Sequence, residues 1–206
     1  MMERLPVVYE PIDRLEIIQA LINVRKYKKY LEIGCDRDSV FAYVKVDHRV
    51  GVDPERGGNL RMTSDEYFDQ YNDKFDIIFI DGLHYYHQVK KDLENSLARL
   101  EPGGIILMHD CLPSSPLEVA IPMPTPLRSA WTGDVWRINF DLIVRSDIKY
   151  SILNSPYGLG CVSVQTQEVI ELGTGSKWSF YCDNWNKLPI ISCRQALLSK
   201  FSNIIT

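Results

Sequence analysis

Asp81, His84 and Asp110 are residue types that, brought together, bind a divalent cation or move a proton. Carboxylates are oxygen ligands for hard ions, and a histidine titrating near neutrality is a natural base for a hydroxyl group. A second set, Glu32, Gly34 and Asp53, suits a nucleotide-like ligand. A glycine in the turn after a strand lets a ligand approach the backbone. A carboxylate at the end of the next strand can accept hydrogen bonds from ribose hydroxyls.

These residues can meet only if strands end at one edge of a sheet, and the stretch from Phe75 to Asp110 has that organisation. Phe75 to Ile80 is an apolar run of the kind buried on both faces of a parallel sheet. It stops at Asp81-Gly82. Helical spacing follows from His84 to Leu100, with Val89, Leu93, Leu97 and Leu100 on one stripe. On this reading His84 and His87 share a helix face. Pro102-Gly103-Gly104 ends the helix, and Ile105 to Met108 forms a second strand running into His109-Asp110. Strand, helix and strand make a right-handed βαβ unit, with both strand ends at the edge where ligands of open α/β sheets bind.

The chain before this unit predicts a helix from Glu10-Pro11 to Lys26 and a strand from Tyr30 to Ile33. A helix-like segment from Asp38 to Val44 and a strand from Arg49 to Asp53 follow. Arg61 to Thr63 can end another strand, and Ser64 is placed to cap a helix through Tyr71. After Asp110 the texture changes. Leu112 to Leu127 holds five prolines and is expected to be a loop that closes over the site as a lid. A helix carrying Trp131 and Trp136 is predicted over Ser129 to Val144. An antiparallel strand pair is predicted at Lys149–Leu153 and Gly160–Val164, and two short helices broken near Pro189 close the chain. The 206 residues are expected to form one domain, with 165–206 as a C-terminal extension.

Composition narrows the function classes. The net charge of −4 offers no electrostatic reason to expect nucleic acid or an anionic membrane as partner. No apolar run approaches bilayer-spanning length, and Met1 to Glu10 lacks the apolar core of a signal peptide. The five cysteines show no CxxC spacing and are read as reduced thiols of a cytoplasmic protein.

The order YLEIGC, GVDP, FDIIFIDGLHYY, LEPGGIILMHDC resembles the class I S-adenosylmethionine-dependent methyltransferases, most closely the branch labelled methyltransferase family 24. Trp131 to Trp136, containing GDVW, is similar to a segment of some relatives. The resemblance implies an α/β, Rossmann-like sandwich with a mostly parallel central sheet and a C-terminal antiparallel strand pair. It implies O-methylation of a small hydroxylated acceptor, a sugar or glycosylated metabolite, with S-adenosylmethionine as cofactor. Glu32 and Gly34 then match the methionine-binding motif, Asp53 the ribose site, Ser64 the adenine turn, and Asp81 the residue beside the methyl group. His84 and Asp81 become the catalytic candidates. Some relatives hold a divalent metal at positions matching Asp81 and Asp110, which implies an Mg²⁺ or Mn²⁺ site here, but His109 stands where they often carry an aspartate. Asp38 likewise replaces a later glycine of the first motif. A cofactor-binding protein without turnover and an NAD-dependent oxidoreductase remain as alternatives, the second disfavoured by the broken glycine pattern.

Overall fold

The computed structural model describes residues 4–126, 130–172 and 175–204. Seven strands form one sheet: β1 (Lys29–Ile33), β2 (His48–Val52), β3 (Phe75–Ile80), β4 (Leu100–Met108), β5 (Lys149–Leu153), β6 (Leu159–Ser163) and β7 (Ile190–Ile191). Their spatial order is β2-β1-β3-β4-β6-β5-β7. The first four are parallel, β6 is antiparallel to both β4 and β5, and β7 runs parallel to β5. This is the mostly parallel α/β sheet expected, with its antiparallel pair.

Alternation along the strands builds two cores. Tyr30, Ile77, Phe79, Ile105 and Leu107 face α1 (Arg14–Arg25) and α6 (Cys193–Leu198). Leu31, Ile78, Ile80 and Ile106 face the side of α2 (Ser64–Gln70) and α3 (Tyr86–Ala98). Each of these fully buried side chains contributes about 1.5–3 kcal/mol by leaving water. In register, Ile33 lies beside Val52 and Ile80, and Ile80 beside Met108. Gly34, Asp53, Asp81 and His109 therefore leave the sheet at one edge. The chain reverses direction across the sheet between β1 and β3, the crevice where such folds bind ligands.

Several boundaries differ from expectation for local reasons. α1 starts at Arg14, not near Pro11, because Asp13 and Glu16 form a reciprocal capping box. Asp38 to Val44 is a run of turns rather than a helix. Arg49 binds the carbonyls of Phe41, Ala42 and Val44 at the segment's end and ties it to β2. Arg61 to Thr63 contains no strand; only a bridge between Val52 and Leu60 forms beside it. Thr63, not Ser64, caps α2, through a capping box with Glu66. α3 begins at Tyr86, whose N–H donates to the distant Asp134 side chain at 2.6 Å. His84 thus lies in the preceding turn and shares no helix face with His87. β4 starts at Leu100, paired with Phe75 ahead of a register shift.

The helix predicted from Ser129 shrinks to a 3₁₀ turn, Val135–Arg137, and α4 (Ile138–Leu142). Gly133 interrupts it at φ 58°. Leu127 and Ser129, the expected end of the loop and start of the helix, lie outside the described residues. The tail adds β7 between α5 (Trp178–Asn184) and α6, which the sequence reading lacked. Among the described residues no helix is long and apolar enough to cross a membrane.

Candidate active site

A cavity of about 820 Å³ opens over the strand ends and is lined by Glu32, Gly34, Asp53, Ser64, Asp81, His84 and Asp110 among others. These seven residues assigned to the site from sequence therefore face one space. They divide into two ends.

At the first end, Asp81 and Asp110 interleave with His84 and His109. His84 Nδ1 lies 3.1 Å from Asp110 Oδ2 and 3.0 Å from the Trp131 carbonyl oxygen. Two acceptors flank this nitrogen, so Nδ1 carries a proton in either charge state of the ring. Nε2 sits 3.5 Å from Asp81 Oδ1. Burial opposes a charge on His84, but the hydrogen bond to Asp81 and the charges of Asp110 and Asp81 prevail and push its pKa up to about 9. His109 Nδ1 lies 3.3 Å from Asp81 and 3.2 Å from Asp110, and its Nε2 lies 3.2 Å from the Pro156 carbonyl oxygen. With acceptors at both nitrogens, His109 is held as an imidazolium. Burial works against the Asp81 carboxylate, yet His109 and His84 keep its pKa below the usual range.

The segment expected to form a long helix is what holds His84. Gly133 packs so tightly on the His84 carbonyl that a Cβ would fall 1.8 Å from it. The Asp134 N–H donates to the same carbonyl at 3.2 Å, and the Trp131 ring stacks on the imidazole at 5.4 Å. Trp131 thus belongs to the cavity, whereas Trp136 is buried in the core. The loop after Asp110 contributes Met123 to the lining, and the Trp131 indole N–H ties it down by donating to the Ala120 carbonyl at 2.7 Å.

The second end is built from β1, β2 and α2. Gly34 has φ 85°, and a Cβ there would lie 2.3 Å from the Asp81 carbonyl oxygen and 2.3 Å from Gly82 Cα. The glycine serves the close approach of two turns as well as an open cavity wall. Glu32 is 2% exposed and accepts a short hydrogen bond from the Tyr30 hydroxyl. Burial raises its pKa to about 8, with the Asp81 charge adding to the effect and Tyr30 opposing it. Such a carboxylate is suited to a cationic partner. Asp53 accepts from the N–H groups of Asp36, Glu55 and Arg56, each at 2.9 Å. A carboxylate has about four acceptor positions, so one remains for a ligand. Asp36 pairs with Arg56, and Asp38 accepts from Gly58 N–H at 2.7 Å. These acids shape the 53–61 loop.

Arg14, Gln88 and Asp92 also line the cavity and were not singled out in the sequence. The capping box that starts α1 beside Arg14 was a readable signal; the helical spacing of Gln88 and Asp92 only marked them as polar positions. Gln88 Nε2 bridges Ser64 Oγ at 3.2 Å and Asp92 Oδ1 at 3.0 Å. Burial lifts the Asp92 pKa from 3.8 to about 6 against the hydrogen bonds of Ser64 and Gln88. Its folded value lies above its unfolded one, so between these values the folded state keeps a proton that the unfolded state releases. Stability is lost as pH rises through this window, by about 3 kcal/mol at roughly 1.4 kcal/mol per pKa unit. Asp92→Asn is expected to be more stable than the parent at about pH 8, with the gain vanishing towards about pH 4. Denaturant midpoints at the two pH values check this; a gain that is equal at both removes the assigned cause.

Residues 31–111 match the model of a family described as a methyltransferase domain. Among solved structures, the fold is similar to the O-methyltransferase TomG from Streptomyces achromogenes, involved in tomaymycin synthesis and crystallised with S-adenosylmethionine. The TM-score is 0.54 at 16% identity, over 74% of this chain and 79% of that one. It is also similar to the O-methyltransferase from Bacillus cereus in complex with S-adenosylhomocysteine, with a TM-score of 0.53 at 15% identity, over 78% and 84% of the two chains. A 52-residue stretch is 42% identical to the uncharacterized protein y4gI of Sinorhizobium fredii, covering 25% of this chain and only 6% of that protein. The chain has the class I methyltransferase fold.

Proposed function

We propose that this chain is an S-adenosylmethionine-dependent O-methyltransferase acting on a small hydroxylated acceptor, a sugar or glycosylated metabolite. The observation that carries the reading is the single cavity in which the Glu32–Gly34–Asp53 end meets the Asp81–His84–Asp110 end. The residues present fit the cofactor. Glu32 and Asp81 offer carboxylates to the methionine ammonium, Gly34 leaves room at the backbone, Asp53 retains an acceptor position for a ribose hydroxyl, and Ser64 lies beyond it towards the adenine. Bound S-adenosylmethionine supplies an electrophilic methyl group on a sulfonium.

The chain's own residues then align the acceptor and take its proton. His84 Nε2 is the accepting atom of the neutral ring, a form that gains population as pH rises towards about 9, and the ring becomes an imidazolium as the hydroxyl is deprotonated. Asp110 fixes the tautomer through Nδ1, and Asp81 stabilises the cation from the other side. Alignment of nucleophile and methyl group in a closed site can supply several kcal/mol more.

One ligand atom each from Asp81, His84 and Asp110 lie within 4.8 Å of one another, so these residues could also hold a divalent cation. A nitrogen among the donors suits Mn²⁺ better than Mg²⁺. Such an ion would acidify the acceptor hydroxyl. The test is transfer of labelled methyl from S-adenosylmethionine to a panel of sugars and glycosides, with and without chelator. Turnover on at least one acceptor is expected. Loss of turnover in chelator and its recovery with Mn²⁺ would assign the cation, and full activity in chelator would leave the step to His84. Cofactor binding with no turnover on any acceptor would instead favour a binding protein.

The loop after Asp110 is proposed to close over the acceptor and exclude water. Leu112 and Ser114 are buried at its base, whereas Leu117, Ile121 and Met123 are exposed. Protease is expected to cut between residues 115 and 126 in free protein and to be blocked when cofactor and acceptor are both bound. Equal cutting in the two states would reduce the loop to a connection.

A further inference from the structure

We infer that Arg14, at the start of α1, is the anchor for the carboxylate of the cofactor's methionine moiety. The inference rests on the cofactor reading above and adds a residue outside the matched segment, 31–111. An amino-acid zwitterion brings one cation and one anion into its site. Carboxylates for the ammonium are plentiful around the cavity, but Arg14 and Arg56 are the arginines among its lining residues. Arg56 lies on the loop beside Asp53, more than half exposed and already paired with Asp36. Arg14 stands where the two ends meet, 3.4 Å from Asp81 and near enough for its charge to act on Glu32.

Its environment is that of a donor short of a partner. Arg14 Nε is buried and makes no hydrogen bond among the described residues. The nearest carboxylate oxygen, Asp81 Oδ2, lies 3.4 Å away, close enough for ionic attraction but without hydrogen-bond alignment. A buried donor left in this way costs free energy until an acceptor arrives. The arginine charge is also felt at Glu32, whose pKa it lowers against the effect of burial. Glu32, Asp81 and Arg14 thus bring two carboxyl groups and one guanidinium together where the two ends of the cavity meet. That pattern complements an α-amino acid, ammonium towards the carboxylates and carboxylate towards the guanidinium fork, which binds such groups in bidentate fashion.

The anchor is separable from the rest of the cofactor site by ligand choice. S-adenosylhomocysteine carries the amino-acid carboxylate, whereas 5′-methylthioadenosine has the same nucleoside and thioether without it. Calorimetric titration of both ligands into wild type, Arg14→Gln and Arg14→Lys should give a selective result. Arg14→Gln should lose at least tenfold in affinity for S-adenosylhomocysteine and less than twofold for 5′-methylthioadenosine, with Arg14→Lys recovering part of the loss. Unchanged affinity of Arg14→Gln for S-adenosylhomocysteine would overturn the anchor alone. Equal loss of both ligands in a protein with a wild-type melting curve would also overturn it, making Arg14 a support for Asp81. Wild-type protein that takes neither ligand would remove the cofactor reading together with the anchor.

Discussion

Replacing His84 with alanine is expected to lower the rate of methyl transfer by about 10²–10⁴-fold, the usual contribution of a positioned acid or base. The expectation follows from its neighbours. Nδ1 is committed to Asp110 and the Trp131 carbonyl, leaving Nε2 as the atom that can receive a proton once the ring is neutral, so the rate should rise with pH towards about 9. His109 is the poorer base, because acceptors stand within 3.3 Å of both its nitrogens, whereas His84 Nε2 meets only the longer 3.5 Å approach of Asp81. Cofactor affinity should fall far less than the rate, since His84 reaches the proposed cofactor site through Asp81 alone. Single-turnover rates with saturating cofactor and acceptor measure the effect, and His84→Gln controls for the loss of the stack on Trp131. A rate within threefold of wild type would leave His84 a support for the 131–134 segment and move the base elsewhere.

The second large effect concerns stability. Gly34→Ala puts a Cβ within 2.3 Å of backbone atoms of Asp81 and Gly82, in a residue whose φ of 85° already disfavours any side chain. Backbone atoms cannot move aside as a flexible side chain can. The turn after β3 must shift, carrying Asp81 and, two residues beyond Gly82, His84. Left-handed strain of about 1–2 kcal/mol adds to overpacking of about 1–3 kcal/mol, giving a loss of roughly 2–5 kcal/mol. Denaturant unfolding checks it. A loss below about 1 kcal/mol would mean that the two turns slide apart easily. Gly82→Ala is the contrast: its Cβ would find its nearest neighbour at 3.4 Å, an ordinary contact, and should cost far less.

The fold was readable where burial and periodicity agree. Phe75 to Ile80 needs both faces covered, which implies a parallel sheet, and the strand begins and ends where the apolar run does. The residues beyond such strands then share an edge by geometry alone, so Asp81 and Asp110 could be placed together without knowing their contacts. Signals that depend on distant partners were not readable. Tyr86 starts α3 because Asp134 caps it from 48 residues away, and this removes His84 from the helix and makes it a turn residue. Arg49 binds the terminal carbonyls of the segment before β2, a contact that the local spacing does not reveal. Gly133 falls inside the helix expected over Ser129 to Val144, and only the fold shows that it is pressed against His84. Arg14 lies far from every motif, and its place in the cavity depends on how α1 packs across the sheet. His109 was visible as a substitution. Its role as an internal cation between two carboxylates required their positions.

The central claim is that the cavity is built for S-adenosylmethionine and its product. Calorimetric titration of the purified chain with S-adenosylhomocysteine, alongside NAD and the Asp53→Ala variant, tests it most directly. A single saturable site for S-adenosylhomocysteine is predicted, weakened by about 1.5–3 kcal/mol when the Asp53 acceptor is removed, and no heat is predicted with NAD. Saturable binding of NAD with no response to S-adenosylhomocysteine would contradict the account.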